Sequence, residues 1–293
     1  MSDEREPKRR TSHRPKGRRF SRRTRVWGLL LVTATVVGTG TALFVNAAEG
    51  ESPKAVASIG PTTAPFAPRF AQSGLVTNEF AFLHPGEPRS KLSRDWITTS
   101  GSLFAKGGAG WTGVPDADDT GPDSARHTDS AVFRLVTRRR DFGPVTVRVR
   151  VRLDRPVTTP RTPARDWDGG HVWLRYRSPR ELYALSFRRR DGAVVIKRKI
   201  AGVGRPQDKD NEGYSTLAEG RHALSYGTWH EVEASAVNQP SGAVRLRLGI
   251  DGKTVLTVED RTPGPLRRPG GVGLRADNTE LLFRDFRATA GPS

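Results

Sequence analysis

The chain has 293 residues, 35% of them hydrophobic and 8% aromatic, with six Trp and twelve Phe, enough to build a packed core and to exclude disorder along the whole length. The formal net charge is +18, but residues 1–25 alone hold eleven Lys or Arg against three acids, so the excess marks a charged tail beside a mildly basic domain and argues against a nucleic-acid-binding protein throughout. The absence of cysteine rules out disulfides, thiol nucleophiles, Cys-ligated metal sites and the lipid-modified cysteine of a bacterial lipoprotein.

Residues 1–25 lack apolar periodicity and read as a solvated basic tail. Residues 26–48 (VWGLLLVTATVVGTGTALFVNAA) carry no charge, and a helix of that length spans roughly 30 Å, the thickness of a bilayer core. The basic cluster before it, Trp27 at its start, and Glu49 and Glu51 after it orient the tail inward. The expectation is a retained single-pass anchor. A cleaved leader is the alternative, since Val45-Asn46-Ala47 has small residues at cleavage spacing and Ser21-Arg22-Arg23 partly matches a twin-arginine signal. Either way the remainder is expected on the extracytoplasmic side, anchored in the first case and secreted in the second. Residues 49–73 are rich in Pro, Ala, Ser and Thr and read as a linker to a domain over 74–293.

Beyond Leu75 the texture changes to short alternating runs. In residues 144–153 (PVTVRVRVRL), Val145, Val147, Val149, Val151 and Leu153 share one face, and Thr146, Arg148, Arg150 and Arg152 share the other, the signature of a half-buried strand. VRLRLGI (244–250) repeats the pattern. Asp251-Gly252 and Asp191-Gly192, each between alternating runs, predict tight hairpins in which both central residues take positive φ. Further strands are expected at 96–100, 102–106, 131–137, 171–176, 182–187, 229–237, 271–276 and 280–289. Some dozen antiparallel strands without a blade-length repeat call for an all-β, two-sheet antiparallel jelly-roll sandwich.

Several segments resemble concanavalin A-like lectin and glucanase domains, laminin-G-like ones above all, as part of an exported protein of actinobacterial type. Asp95-Trp96 with Ser100-Gly101-Ser102-Leu103 resembles their opening hairpin. HVWLRYRSPRELYALSF resembles their central strand pair, Gly227-Thr228-Trp229-His230 and IDGKTV their later hairpin, and GGVGLRADNTELLFRDFRAT their closing strands. The resemblance covers about residues 75–290 and implies the fold. That fold hosts lectins, glycosidases, lyases and structural modules alike.

The glucanase pattern Glu-x-Asp-x-x-Glu is missing, and Glu231-Val232-Glu233 reads as the solvent side of a strand. Also missing are Gly-x-Ser-x-Gly and His-Glu-x-x-His, so no catalytic residue is assigned. The loop Arg165-Asp166-Trp167-Asp168-Gly169-Gly170-His171 combines acids, an aromatic and a histidine before a strand bearing Trp173, Arg175 and Tyr176. Aromatics stack on sugar faces while Asp and Arg hydrogen-bond hydroxyl pairs. Trp167, Asp168, His171, Trp173, Arg175 and Tyr183 are therefore the candidate ligand-binding residues, to be weighed against a Gly-rich turn whose Trp simply caps the sandwich. The acidic loops Asp116, Asp118, Asp119 and Asp208, Asp210 are the candidates for a structural calcium, although neither has the spacing of a known calcium loop. Arg148, Arg150, Arg152, Arg245 and Arg247, with Arg188–Arg190 and the Lys197-Arg198-Lys199 run, would form a basic sheet face if their strands were neighbours. The expected activity is a membrane-anchored, lectin-like module binding envelope polysaccharide, the alternatives being a polysaccharide hydrolase or lyase and a ligand-free structural module. Nucleic acid is not an expected partner.

Overall fold

The computed structural model describes residues 64–115, 131–160, 162–201 and 213–291. The tail 1–25, the apolar segment 26–48, most of the linker and both acidic loops proposed for calcium lie outside these residues. Among the described residues no helix is long and apolar enough to cross a membrane, and no cluster of His, Asp or Glu is arranged to hold a metal ion.

The described chain forms two antiparallel sheets, with strands numbered here in chain order. Across the first sheet the strands run β1 (Gly74–Asn78), β3 (Ser102–Lys106), β4 (Ala109–Trp111), β15 (Leu281–Ala290), β6 (Val145–Leu153), β11 (His230–Asn238), β12 (Val244–Ile250) and β13 (Lys253–Asp260). Across the second they run β10 (Tyr214–Arg221), β9 (Ala193–Lys199), β8 (Glu181–Arg189), β7 (Gly169–Ser178), β14 (Gly271–Asp277), β5 (Val132–Thr137) and β2 (Trp96–Ser100). One five-residue helix, α1 (Glu79–Leu83), follows β1 and is capped by Asn78, whose side chain accepts from the Ala81 N–H.

The core lies between the sheets, and the alternation read in β6 places its four valines and Leu153 there, each at most 2% exposed. Val232, Ala234 and Ala236 of β11 and Val244, Leu246, Leu248 and Ile250 of β12 continue that inner face. Phe133, Leu135, Val172, Leu174, Leu185, Phe187 and Leu274 meet them from the second sheet. Burying each of the larger aliphatic side chains stabilises the fold by about 1.5–3 kcal/mol before the entropy of ordering is subtracted. One end is closed by Phe66, Trp96, Phe142, Phe283 and Phe286, packed edge to face with neighbouring centroids 5.1–6.4 Å apart. Phe66 pairs with Ala288 through backbone hydrogen bonds, and Phe70 packs on Phe283. The sandwich therefore takes in the last part of the segment read as linker, because two of its aromatics find apolar partners there.

Two turn expectations are corrected. Residues 96–106 do not make a hairpin: β2 belongs to the second sheet and β3 to the first, and the chain turns the corner at Gly101, with φ 75°. A single residue is too short for the two-residue loop that antiparallel partners need. At the β12–β13 turn Asp251 and Gly252 both have positive φ, as expected. At the β8–β9 turn only Gly192 does; its N–H donates to the Arg189 carbonyl at 3.0 Å, so Arg190 and Asp191 form the centre of the turn and Gly192 the left-handed residue after it.

Candidate functional site

The outward face of the second sheet carries the site. Strand β7 sits at the centre of that sheet, and its outward residues His171, Trp173 and Tyr176 would break strict alternation if the strand were regular. A bulge resolves this. Arg175 has φ 54°, and the pairing of β7 with β8 shifts between Leu174 and Ser178, so Leu174 and Arg175 both turn inward and Tyr176 returns to the outer face. There Tyr176 stacks on Trp173, centroids 5.4 Å apart and planes at 10°. On the adjacent β14, Gly273 is paired with Trp173. The two rings pack with Val136, Leu182 and Ala184, and Ile97 and Tyr214 flank them.

Beside this aromatic cluster is a small, partly open cavity lined by Trp167, His171, Trp173, Ala184, Ser186, Arg189, Lys197, Tyr214 and Arg275. Its polar wall is one connected chain. The Ser186 hydroxyl is 2.8 Å from His171 Nδ1, and His171 Nε2 is 3.3 Å from the Asp277 carboxylate, less well aligned than the serine contact. Arg275 donates to both oxygens of Asp277, at 2.6 and 2.9 Å, and reaches the Tyr214 hydroxyl. Burial alone would raise the Asp277 carboxyl, but Arg275 and His171 outweigh it and hold it at about 2. Burial dominates at His171 and pushes its pKa below 6.5 despite Asp277, so the ring is neutral, with Nε2–H toward Asp277 and Nδ1 accepting from Ser186. Burial also raises the Tyr214 hydroxyl, leaving it a neutral hydrogen-bonding group.

Ser186, His171 and Asp277 have the side-chain types of a nucleophilic relay. Ser186, however, lies in mid-strand, paired with His171 of β7 and Val195 of β9, and not on a sharp exposed turn of the kind that presents a nucleophile beside oxyanion donors. The arrangement instead fixes the ring and tautomer of a histidine on the cavity wall. It also makes folding pH-sensitive. Because the folded pKa of His171 is depressed, the unfolded chain takes up a proton first, and stability falls as pH drops below about 6.5. Denaturant titrations at pH 7.5 and 5.5 should show a loss that His171→Gln largely removes; equal pH sensitivity in the variant would assign the effect elsewhere.

Of the six residues predicted for the site, Trp167, His171 and Trp173 line the cavity. Asp168 is adjacent but 1% exposed, and it ties the loop down by accepting from the Arg165 N–H, Asn278 Nδ2 and the Arg190 guanidinium. Arg175 and Tyr183 are corrections as ligand contacts: both point between the sheets and are fully buried. The bulge turns Arg175 inward, where it donates to the Arg267 carbonyl and Asn238 Oδ1, and burial lowers it to about 10. Tyr183 is inward by ordinary alternation and donates to Asp260 at 2.7 Å. Ser186, Tyr214, Arg275 and Asp277 join the site unannounced by any local motif, because sheet order assembles it from β7, β8, β10 and β14. The outward position of Ser186 follows from counting along LYALSF; the position of β10 beyond β9 does not follow from any pattern.

The expected basic face is only partly basic. Strands β6 and β12 are separated by β11, so Arg148 and Arg247 both bind Glu233, while Arg245 and Arg261 bind Glu259. Glu233 is thus an ion-paired surface residue.

No family of protein sequences matches this chain, and neither does any characterised relative. Among solved structures it is similar to the carbohydrate binding module CBM66 from Bacillus subtilis, at 12% identity and TM-score 0.45, over 67% of this chain and 95% of that one. It is also similar to the Emp46p carbohydrate recognition domain in its metal-free form, at 12% identity and TM-score 0.43, over 74% of this chain and 99% of that one. A third likeness is to a legume lectin-like domain from Entamoeba histolytica, at 9% identity and TM-score 0.42, over 68% of this chain and 91% of that one. The assignment as an all-β two-sheet sandwich rests on the strand order and register given above.

Proposed function

We propose that this chain is a carbohydrate-binding protein whose concanavalin A-like sandwich holds a polysaccharide on the outer face of its second sheet. The observation that carries this reading is the convergence of Trp167, Trp173, Tyr214, His171 and Arg275 on one cavity. Aromatic side chains offer faces and edges to the C–H side of a sugar ring, and the neutral histidine, the tyrosine hydroxyl and the guanidinium offer donors and acceptors to its hydroxyls. Trp173, on the cavity wall, has its indole N–H buried without a partner, an arrangement that costs about 1–3 kcal/mol and that an incoming hydroxyl would relieve. In its cellular setting the chain is proposed to be a single-pass envelope protein with the sandwich outside, supported by the charge-free stretch 26–48 and the basic residues before it.

Titration of the full chain against neutral and acidic polysaccharides tests the function. Saturable binding to at least one polymer is expected, and Trp167→Ala, a half-buried rim residue, should weaken it about tenfold or more without changing stability by more than about 0.5 kcal/mol. Failure to bind any polymer would sink the reading.

A further inference from the structure

The cavity does not end at Trp167 and Arg275. Those two residues also line a second depression, toward the start of β5, whose walls include Arg134, Asp168, Asp277 and Asn278. The two together form one groove, and its charges are unequal. Arg134 and Arg275 are direct cross-strand partners of β5 and β14, both on the outer face. Like charges placed opposite each other in a sheet repel. Asp277 answers one of them, through both of its oxygens, and that one is Arg275. Arg134 is half-buried and has neither an ion pair nor a hydrogen bond in the described structure. Among the described residues, each acid lining the groove is already engaged: Asp277 by Arg275 and His171, Asp168 by Arg190, Asn278 and the Arg165 N–H. An arriving anion therefore meets a partly desolvated guanidinium that Asp277 reaches only at a distance, and among the described residues each carboxylate of the groove is already held by other donors.

We infer that the ligand is an acidic glycan, a polymer containing uronic acid residues, with the carboxylate of one residue received by Arg134 while its ring lies against Trp167. A guanidinium offers two parallel N–H donors that match a planar carboxylate, and partial burial strengthens such a pair relative to one in open water. Trp167 stands on the rim shared by both depressions, so a chain running along the groove would pass from the acid-binding end to the His171–Tyr214 end. This inference rests on the carbohydrate-binding reading and narrows it to a substrate class.

The net charge of +18 attracts any polyanion, so the test must separate the groove from general attraction. The full chain is titrated with polygalacturonate, alginate and hyaluronate and with the methyl-esterified form of each, which keeps the backbone and removes the charge. Three variants accompany it: Arg134→Gln, Arg134→Lys and, as a control on the opposite sheet, Arg150→Gln. At least one uronate should bind about tenfold more tightly than its ester, and Arg134→Gln should erase most of that difference. Arg134→Lys should retain part of it, and Arg150→Gln should leave it intact. Thermal unfolding of Arg134→Gln at the parental temperature excludes misfolding as the cause. Equal binding of acid and ester, or equal losses in Arg134→Gln and Arg150→Gln, overturns the acidic-ligand inference and leaves carbohydrate binding standing. Binding of neutral glucans alone does the same. Binding of no polymer removes both.

Discussion

Asp260→Ala is expected to lower the stability of the sandwich by about 3–5 kcal/mol, the loss typical of stranding the partners of a buried charge. Asp260 is fully buried at the end of β13, where it accepts from the Tyr183 hydroxyl at 2.7 Å, the Thr262 N–H at 3.1 Å and the Thr262 hydroxyl. Arg198, 6% exposed, lies 3.5 Å away and also donates to the carbonyls of Pro263 and Gly264. Removing the carboxylate leaves one guanidinium, one phenol, one hydroxyl and the Thr262 N–H without that acceptor, and Tyr183 and Arg198 are buried away from water. The Coulomb term is the smaller part, because Arg198 keeps two carbonyls; the orphaned donors dominate, at about 1–3 kcal/mol each. Asp260→Asn, which keeps the shape and one acceptor oxygen, should cost less than half as much. Tyr183→Phe combined with Asp260→Ala should cost less than the sum of the two single changes, since they remove the same hydrogen bond. Denaturant unfolding midpoints at constant slope measure all three. A loss under about 1 kcal/mol for Asp260→Ala would mean that the site admits water.

The fold was legible where side-chain period decides the outcome. Strands β2, β3, β12 and β13 begin and end where the alternation does, and β6 differs by one residue. Three strands escaped notice for different reasons. The three-residue β4 is too short to show a period. In β1 only the last two residues are buried, and β10 has no fully buried residue, so neither presents a clean apolar face. The site was half legible. The unusual placement of Trp167, Trp173 and His171 near a glycine pair flagged the right loop, and Gly169 and Gly170 are there because β7 crosses β8 so closely that a Cβ on Gly169 would sit 2.0 Å from the Arg188 carbonyl. The bulge that turns Arg175 inward has no signature in HVWLRYRS, since nothing in the composition says which residue of a strand takes a left-handed φ. Arg134 and Arg275 lie 141 positions apart and meet only through the β5–β14 register, a contact that one-dimensional patterns do not encode.

Asp277→Ala is the second large effect, and it separates the electrostatics of the site from its packing. The folded carboxyl is held at about 2 against an ordinary 3.8, so its ionisation favours the folded state above pH 3.8, and that contribution disappears as pH falls toward 2. The linkage amounts to about 2 kcal/mol. Truncation should cost more, about 3–5 kcal/mol at pH 7, because it also leaves Arg275 with only 18% of its side chain exposed, unpaired, and opposite Arg134. Two consequences follow from that stranded charge. Asp277→Ala with Arg275→Met should recover part of the loss, since the repulsion across β5 and β14 is removed with the guanidinium. The pH response should also change in shape: wild-type stability declines both below pH 6.5, through His171, and again near pH 3, largely through Asp277, whereas Asp277→Ala retains the first decline and only the smaller acid-side part that Asp251 and Glu259 supply. That first decline should be steeper in the variant, because the carboxylate that favours the protonated ring is gone and His171 stays neutral to lower pH. Stability curves between pH 2 and 8 for the parent, the single variant and the pair would measure each part. A variant whose decline near pH 3 is as large as the parent's would move the acid-sensitive group away from Asp277.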